Sequence, residues 1–171
     1  MKTVSWDKYF MSFCNLISMK SKDESTNFGA VIVNHDNQII STGYNSFPKG
    51  INDNVKERQK RPEKYEWFVH AEENAICNAA AIGNSTKFNK IYVNGMPCAR
   101  CTRKILQAGI VEIIVDKKSN DLFMKNSPGD WKKLNRITLE MIGEVPSLTL
   151  RFWNGKTIKK IERLIAGEMI W

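Results

Sequence analysis

No stretch of the sequence approaches the roughly 18 consecutive apolar residues that mark a membrane-spanning helix. The start, MKTVSWDK, lacks the apolar core of a secretory leader, so the chain is expected in the cytoplasm with no membrane partner. Internal repeats and low-complexity segments are missing too. Cysteine is scarce, with four residues, and histidine scarcer, with two. In a cytoplasmic protein so few thiols argue for metal ligation or burial rather than a disulfide framework. Cys98 and Cys101 stand close together, whereas Cys14 and Cys77 are isolated.

What is present is ordinary globular material. Of 171 residues, 42% are hydrophobic and 26% charged, enough for a single domain, 1–171, with a real core. The formal charge of +8 invites a phosphate-bearing partner, either a nucleotide or a nucleic acid. The basic clusters KERQKRPEK (56–64) and KTIKKIER (156–163) both contain glutamate. A solvated surface explains them as well as a binding face does.

Trp6, Tyr9, Phe10, Phe13, Leu16 and Ile17 recur at helical spacing and predict an amphipathic helix over 5–20. FGAVIVN (28–34) and QIISTGY (38–44) are β-rich runs joined by the turn former HDN, a hairpin. Residues 45–67 hold Pro48, Gly50 and Pro62 without a period; long loops of this kind inside a domain are commonly functional. A helix from His70 to a stop at Gly83 follows, then a strand at 90–95, a helix at 98–108 ended by Gly109, and a strand at 111–116. An irregular stretch to Asp130, a helix at 131–142, a strand at 147–153 and a short C-terminal helix complete the pattern. This order predicts an α/β fold with a mixed five-stranded sheet covered by helices and right-handed crossovers.

The segment VHAEENAIC (69–77) places His70, Glu72 and Glu73 at the front of a helix. Acidic residues suit the positive end of the helix dipole, which accounts for the glutamates but not for His70. A partner comes from NGMPCARC (94–101), where Pro97, Cys98 and Cys101 open the next helix just after a strand. Thiols one turn apart share a face, and a helix N-terminus favours the metal-binding thiolate. Parallel strands in a βαβ unit send successive helices off the same sheet edge, so His70, Cys98 and Cys101 can meet around one metal. One nitrogen and two sulfurs suit tetrahedral zinc, and three protein ligands leave a position for water, the mark of a catalytic site. Cys77, about 10 Å along the helix from His70 at ~1.5 Å per residue, is too distant to close that position. Cys14 falls on the apolar side of the first helix and His35 in the hairpin turn.

Beside such a site Glu72 can take a proton from water and hand it to a leaving group. His70-Ala71-Glu72 and Pro97-Cys98-Ala99-Arg100-Cys101 together match H-x-E…P-C-x-x-C, the signature of zinc nucleobase deaminases. Glu73 is expected to be exposed and to serve only the helix dipole.

From SKDESTNFGAVIV (21–33) through STGYNSFPKGINDN (41–54) to HAEENAI and PCARC, over about residues 5–125, the chain resembles the deoxycytidylate (dCMP) deaminases of the zinc-dependent cytidine/deoxycytidylate deaminase family. GYNSFPKGINDN and the insertion before HAE carry most of the resemblance; tRNA adenosine deaminases have a much shorter link there. The resemblance implies a three-layer α-β-α, cytidine-deaminase-like fold and hydrolytic deamination of dCMP to dUMP with release of ammonia, feeding dTMP synthesis. Water adds at C4 of cytosine, and Glu72 protonates N3 and then the departing amine. One zinc per subunit is implied, on His70, Cys98 and Cys101. The second zinc of some phage relatives is not expected, because no cysteine lies between Cys14 and Cys77.

Asn45 matches the family asparagine at the sugar, Ser21, Lys22 and Asn27 match positions near phosphate and pyrimidine, and Ala71 and Pro97 complete the expected substrate contacts. The resemblance further implies a homo-oligomer, a hexamer, activated by dCTP with Mg²⁺ and inhibited by dTTP. The effector site falls on Asn45, Ser46, Lys49, Gly50, Asn52, Asp53, Glu57 and Arg58, with Ser46 where a smaller residue is usual.

Other readings stay open at this point. A deaminase editing DNA or RNA would suit the positive charge, although the long 45–67 segment matches the nucleotide enzymes and makes nucleic acid the lesser partner. A non-catalytic zinc module would require a fourth protein ligand. Free cytidine or dCTP could replace dCMP. The chain beyond Asp130 carries no motif.

Overall fold

The first helix owes its start to Ser5, whose side chain accepts a hydrogen bond from the Lys8 amide at 3.3 Å. This helix, α1 (Trp6–Ser18), buries Phe10, Met11 and Cys14 along one face. The computed structural model describes residues 3–126, 130–159, 163–165 and 168–170. Within them follow α2 (Lys64–Trp67), α3 (Ala71–Ala81), α4 (Ala99–Gln107), α5 (Lys117–Asn126) and α6 (Asp130–Gly143).

Strands β1 (Gly29–Val33) and β2 (Ile39–Tyr44) form the expected antiparallel hairpin, with a register shift between Ile32 and Val33. Asn34 closes the turn, its Oδ1 accepting from the amides of Asp36 and Gln38. On the other side of β1 lies β3 (Lys90–Val93), antiparallel; β4 (Glu112–Asp116) and β5 (Thr149–Trp153) then add in parallel. The sheet order is β2-β1-β3-β4-β5, the mixed five-stranded sheet that the pattern predicts.

Burial along the central strands explains the layering. Ala30, Ile32, Ile91, Val93, Ile113 and Val115 pack on one face with Ala71 and Ala75 of α3, Ile105 of α4 and Ile142 of α6. The alternate residues Val31, Val33, Tyr92 and Ile114 pack on the other face with Phe10, Met11 and Cys14 of α1. Side chains alternate across a strand, so near-continuous apolar runs need a helix on each side. The result is an α-β-α sandwich.

The seating of α3 on β2 fixes where His70 points. Gly43 lies so close to α3 that a methyl there would overlap the Ala71 carbonyl and the Ala75 amide. Asn74 and Asn78, one turn apart, donate to the Tyr44 and Thr42 carbonyls at 2.7 and 2.9 Å. Ser41 returns a bond to the Ala75 carbonyl at 2.7 Å.

The structure corrects the pattern in three places. The stretch after β4 is helical: Asp116 caps α5 by accepting from the Lys118 amide and the Ser119 hydroxyl. Its first turn, KKSN, is polar and showed no helical period. The 45–67 segment contains a 3₁₀ turn, Lys56–Gln59, as well as α2. Where a short C-terminal helix was expected, β6 (Arg163–Ile165) and β7 (Glu168–Ile170) pair antiparallel, and the rest of that expectation lies outside the described residues. No helix among the described residues is long and apolar enough to cross a membrane.

Candidate active site

His70 and Cys98 each occupy the position just before a helix, with extended backbones (ψ 159° and 167°), and neither side chain caps its own helix. Released from capping, both point past the helix ends to one place. Nδ1 of His70 lies 3.5 Å from Cys98 Sγ and 3.4 Å from Cys101 Sγ, and the donor atoms all lie within 4.8 Å of one another. Zinc bound at ~2.3 Å to sulfur and ~2.0 Å to nitrogen in a tetrahedron sets such donors about 3.6 Å apart. The donor set and its spacing therefore fit zinc. Among the described residues no other such group of three or more ligands occurs. Cys77 is exposed, and Cys14 is buried, donating to the Tyr92 carbonyl at 3.3 Å.

The electrostatics of the cluster are those of thiols competing for one proton. The hydrogen bond from Cys101 and then His70 bring Cys98 down to about 3. The Cys98 thiolate and burial push Cys101 up. Burial alone would lower His70, but Cys98 and the Glu72 carboxylate outweigh it and leave His70 at about 9. A cation bound here displaces the remaining protons, since metal ligands bind deprotonated. Glu72 is 8% exposed, and burial raises its carboxyl above the usual range, against the pull of His70.

His70, Ala71, Glu72 and Cys98 open onto one cleft. Its aromatic wall comes from three elements: Phe28 meets Phe123 edge-on at 5.1 Å, and Phe123 meets Trp131 edge-on at 5.1 Å. The Trp131 ring lies over His70, 6.3 Å between centroids and 23° from parallel. Behind Cys98, Thr138 of α6 donates to the Pro97 carbonyl at 3.1 Å, and buried Thr102 donates to the Cys98 carbonyl at 3.1 Å. These hydroxyls fix the start of α4.

The other wall is built on an ion pair. Lys64 Nζ lies 2.5 Å from Asp23 Oδ1, both side chains 6% exposed, and 2.6 Å from Ser25 Oγ. Asp23 also accepts from the Ser25 and Thr26 amides and from Asn45. Burial alone would raise Asp23; Lys64 and these amides reverse that and hold it below its usual range.

Of the residues expected at the substrate, Asn45 and Ala71 line the cleft; Ser21, Lys22, Asn27 and Pro97 do not. Lys22 turns away to Asp53 at 2.9 Å, and Ser21 donates to the Asn45 carbonyl at 2.7 Å. Asn27 is exposed and donates to the Asp23 carbonyl. Asn45 spends both amide hydrogens on Asp23 and Thr26, and its oxygen accepts from the Phe28 amide at 2.8 Å. Glu73 departs from its expected exposure: it is half-buried and paired with Lys104, tying α3 to α4.

The expected effector residues spread over the loop after β2. Ser46 accepts from Asn74, Lys49 donates to Asn78, and Arg58 donates to the Asn52 carbonyl while covering Trp67 at 4.0 Å. Gly50 and Glu57 are exposed. Sequence reasoning missed Asp23, Arg61, Lys64, Phe123 and Trp131. The length of the 45–67 segment was the available signal for two of them.

Residues 4–117 match the model of the cytidine and deoxycytidylate deaminase zinc-binding region. The chain is 41% identical over 118 residues to human deoxycytidylate deaminase, covering 65% of this chain and 64% of the relative. It thus spans less than two thirds of that relative's length. A deaminase of Aliivibrio fischeri is 33% identical over 139 residues, with 81% and 88% coverage. The crystal structure of dCMP deaminase from cyanophage S-TIM5 in complex with dCMP and dUMP superposes with a TM-score of 0.67 at 18% identity, over 90% of this chain and 100% of that one. On sequence and fold together, the chain belongs to the cytidine and deoxycytidylate deaminase zinc-binding family.

Proposed function

We propose that this chain catalyses the zinc-dependent hydrolytic deamination of dCMP to dUMP and ammonia, in the cytoplasm and upstream of dTMP synthesis. The observation that carries the reading is a buried Glu72 sharing one cleft with the His70, Cys98 and Cys101 donor set. The names of relatives, deoxycytidylate deaminases at about 40% identity, support the substrate.

Zinc on His70, Cys98 and Cys101 would supply, when bound, the Lewis acidity that makes water a nucleophile at neutral pH. The chain's own residues supply the rest. Glu72 takes the proton released by the water that adds at C4 and delivers it to N3; it then carries the proton of the new C4 hydroxyl to the amine, whose C4–N bond breaks to leave the carbonyl and ammonia. Burial keeps the Glu72 carboxylate beside the donor set and out of bulk water, where it can both take and give a proton. Phe28, Phe123 and Trp131 offer ring faces and edges to the base and keep bulk water out.

The reading extends to regulation: a homohexamer activated by dCTP with Mg²⁺ and inhibited by dTTP, with Asn45, Ser46, Lys49, Gly50, Asn52, Asp53, Glu57 and Arg58 at the effector. Support comes from the exposed lysine and arginine nitrogens along this loop, Lys49 on Asn78 and Arg58 on the Asn52 carbonyl.

The test is the rate of deamination against dCMP concentration by zinc-loaded protein, alone, with dCTP and Mg²⁺, and with dTTP. Sigmoidal kinetics made hyperbolic by dCTP and suppressed by dTTP is the expected result. Turnover indifferent to both triphosphates removes the regulatory part alone. Replacing Glu72 by Ala should leave fold and zinc content intact while activity falls by about 10²-fold or more. Unchanged turnover would remove Glu72 from the chemistry.

A further inference from the structure

The charges lining the cleft are unequally committed. Lys64 is held by Asp23 and Ser25 with 6% of its side chain exposed, so it has no reach towards a ligand. Lys22, expected near the phosphate, faces Asp53 instead. Glu72 and His70 stand at the helix-start end, where the base must lie for the chemistry. Arg61 remains. It lines the cleft from the segment leading into α2, its side chain is exposed, and among the described residues no carboxylate pairs with it. The Tyr65 ring, 5.9 Å from its guanidinium carbon, supports it at the rim.

Resting on the deaminase reading, we propose that Arg61 determines specificity by gripping the 5′-phosphate, so that the cleft takes a nucleoside monophosphate in preference to the nucleoside. A phosphate monoester carries between about one and a half and two negative charges at neutral pH. A guanidinium meets two of its oxygens through parallel hydrogen bonds, which an ammonium cannot do. With Lys64 neutralised, an uncharged ligand gains nothing from Arg61, and a phosphate gains a charge-assisted pair.

The test is calorimetric binding of dUMP and of deoxyuridine to zinc-loaded wild-type protein and to Arg61→Ala and Arg61→Lys. Wild type should prefer dUMP. Arg61→Ala should lower that preference by about 10- to 100-fold, the range of a charged hydrogen-bonded contact, and Arg61→Lys should restore part of it. An unchanged ratio in Arg61→Ala, equal weakening of both ligands, or no dUMP preference in wild type overturns the proposal. Because binding needs no turnover, a protein inert towards dCMP that still shows the Arg61-dependent ratio would sink the deaminase reading and keep this one. Deamination of dCMP with an Arg61-independent ratio would do the reverse.

Discussion

Two carboxylate–cation knots tie distant segments of this chain together, and they differ in burial more than in chemistry. At the cleft, Lys64 and Asp23 join segments 41 residues apart, each side chain 6% exposed. Away from it, Arg151 of β5 bridges Asp7 of α1 at 2.7 Å and Glu112 of β4 at 3.1 Å, with side chains 42% and 28% exposed. Tyr92 adds a hydrogen bond to Asp7 at 2.9 Å. In both knots the carboxyl is held below its usual range: Asp7 by the Arg151 hydrogen bonds above all, Asp23 against the larger opposing effect of burial.

The difference lies in what a broken pair leaves behind. At the surface, water takes over the orphaned charge, and such pairs contribute between nothing and about 1 kcal/mol. In the interior the surviving partner has neither water nor counter-charge, and its loss of solvation decides the outcome. The buried pair is thus less a source of net stability than a lock. It is satisfied in one arrangement of the 21–28 arm and α2, and that arrangement shapes the cleft wall.

The comparison breaks most readily at Lys64. Lys64→Met strands Asp23 and should cost about 3–5 kcal/mol in urea unfolding. Adding Asp23→Asn, which removes the charge and keeps an oxygen for the Ser25 and Thr26 amides, should recover much of that loss; a double variant worse than Lys64→Met would sink the stranded-charge account. Acid sharpens the contrast next. A carboxyl depressed in the folded state stabilises fully above its unfolded pKa of about 3.9, and that stability is lost as pH falls through the lower folded value. In Lys64→Met burial raises the stranded Asp23 instead, so the wild-type advantage should already shrink as pH falls towards about 4 and shrink further below it, as read by stability at several pH values. Arg151→Ala should be the mildest change, at most about 1 kcal/mol and smaller still in high salt. An Arg151→Ala loss as large as that of Lys64→Met would erase the distinction.

How much of this was legible varies residue by residue. His70 and Cys98 could be placed together because each stands just before a helix and the topology brings helix starts to one sheet edge. Cys98 and Cys101 are fixed to one helix face by their spacing alone. Gly43 offered no sign that it seats α3, because a close approach is a property of two elements. The family resemblance placed Lys22 near the substrate phosphate; Asp53, 31 residues on, draws it away. Trp131 lies beyond residues 4–117, which match the family, yet it covers His70. The strands β6 and β7, three residues each, have too short a span for alternation to show, where a short helix was expected.

By itself the sequence determined what local chemistry can encode. Apolar β-rich runs set the sheet, helix-start positions brought His70, Cys98 and Cys101 within reach of one metal, and the H-x-E spacing singled out Glu72 as the carboxylate proposed for acid–base work. Tertiary structure decided which charges remain available to a ligand. Lys64 is neutralised by a buried carboxylate distant in the chain, Lys22 faces Asp53 outside the cleft, and Arg61 is left open at the cleft. A charge acts on a ligand only through what its own partners leave unspent, and those partners are chosen by the fold.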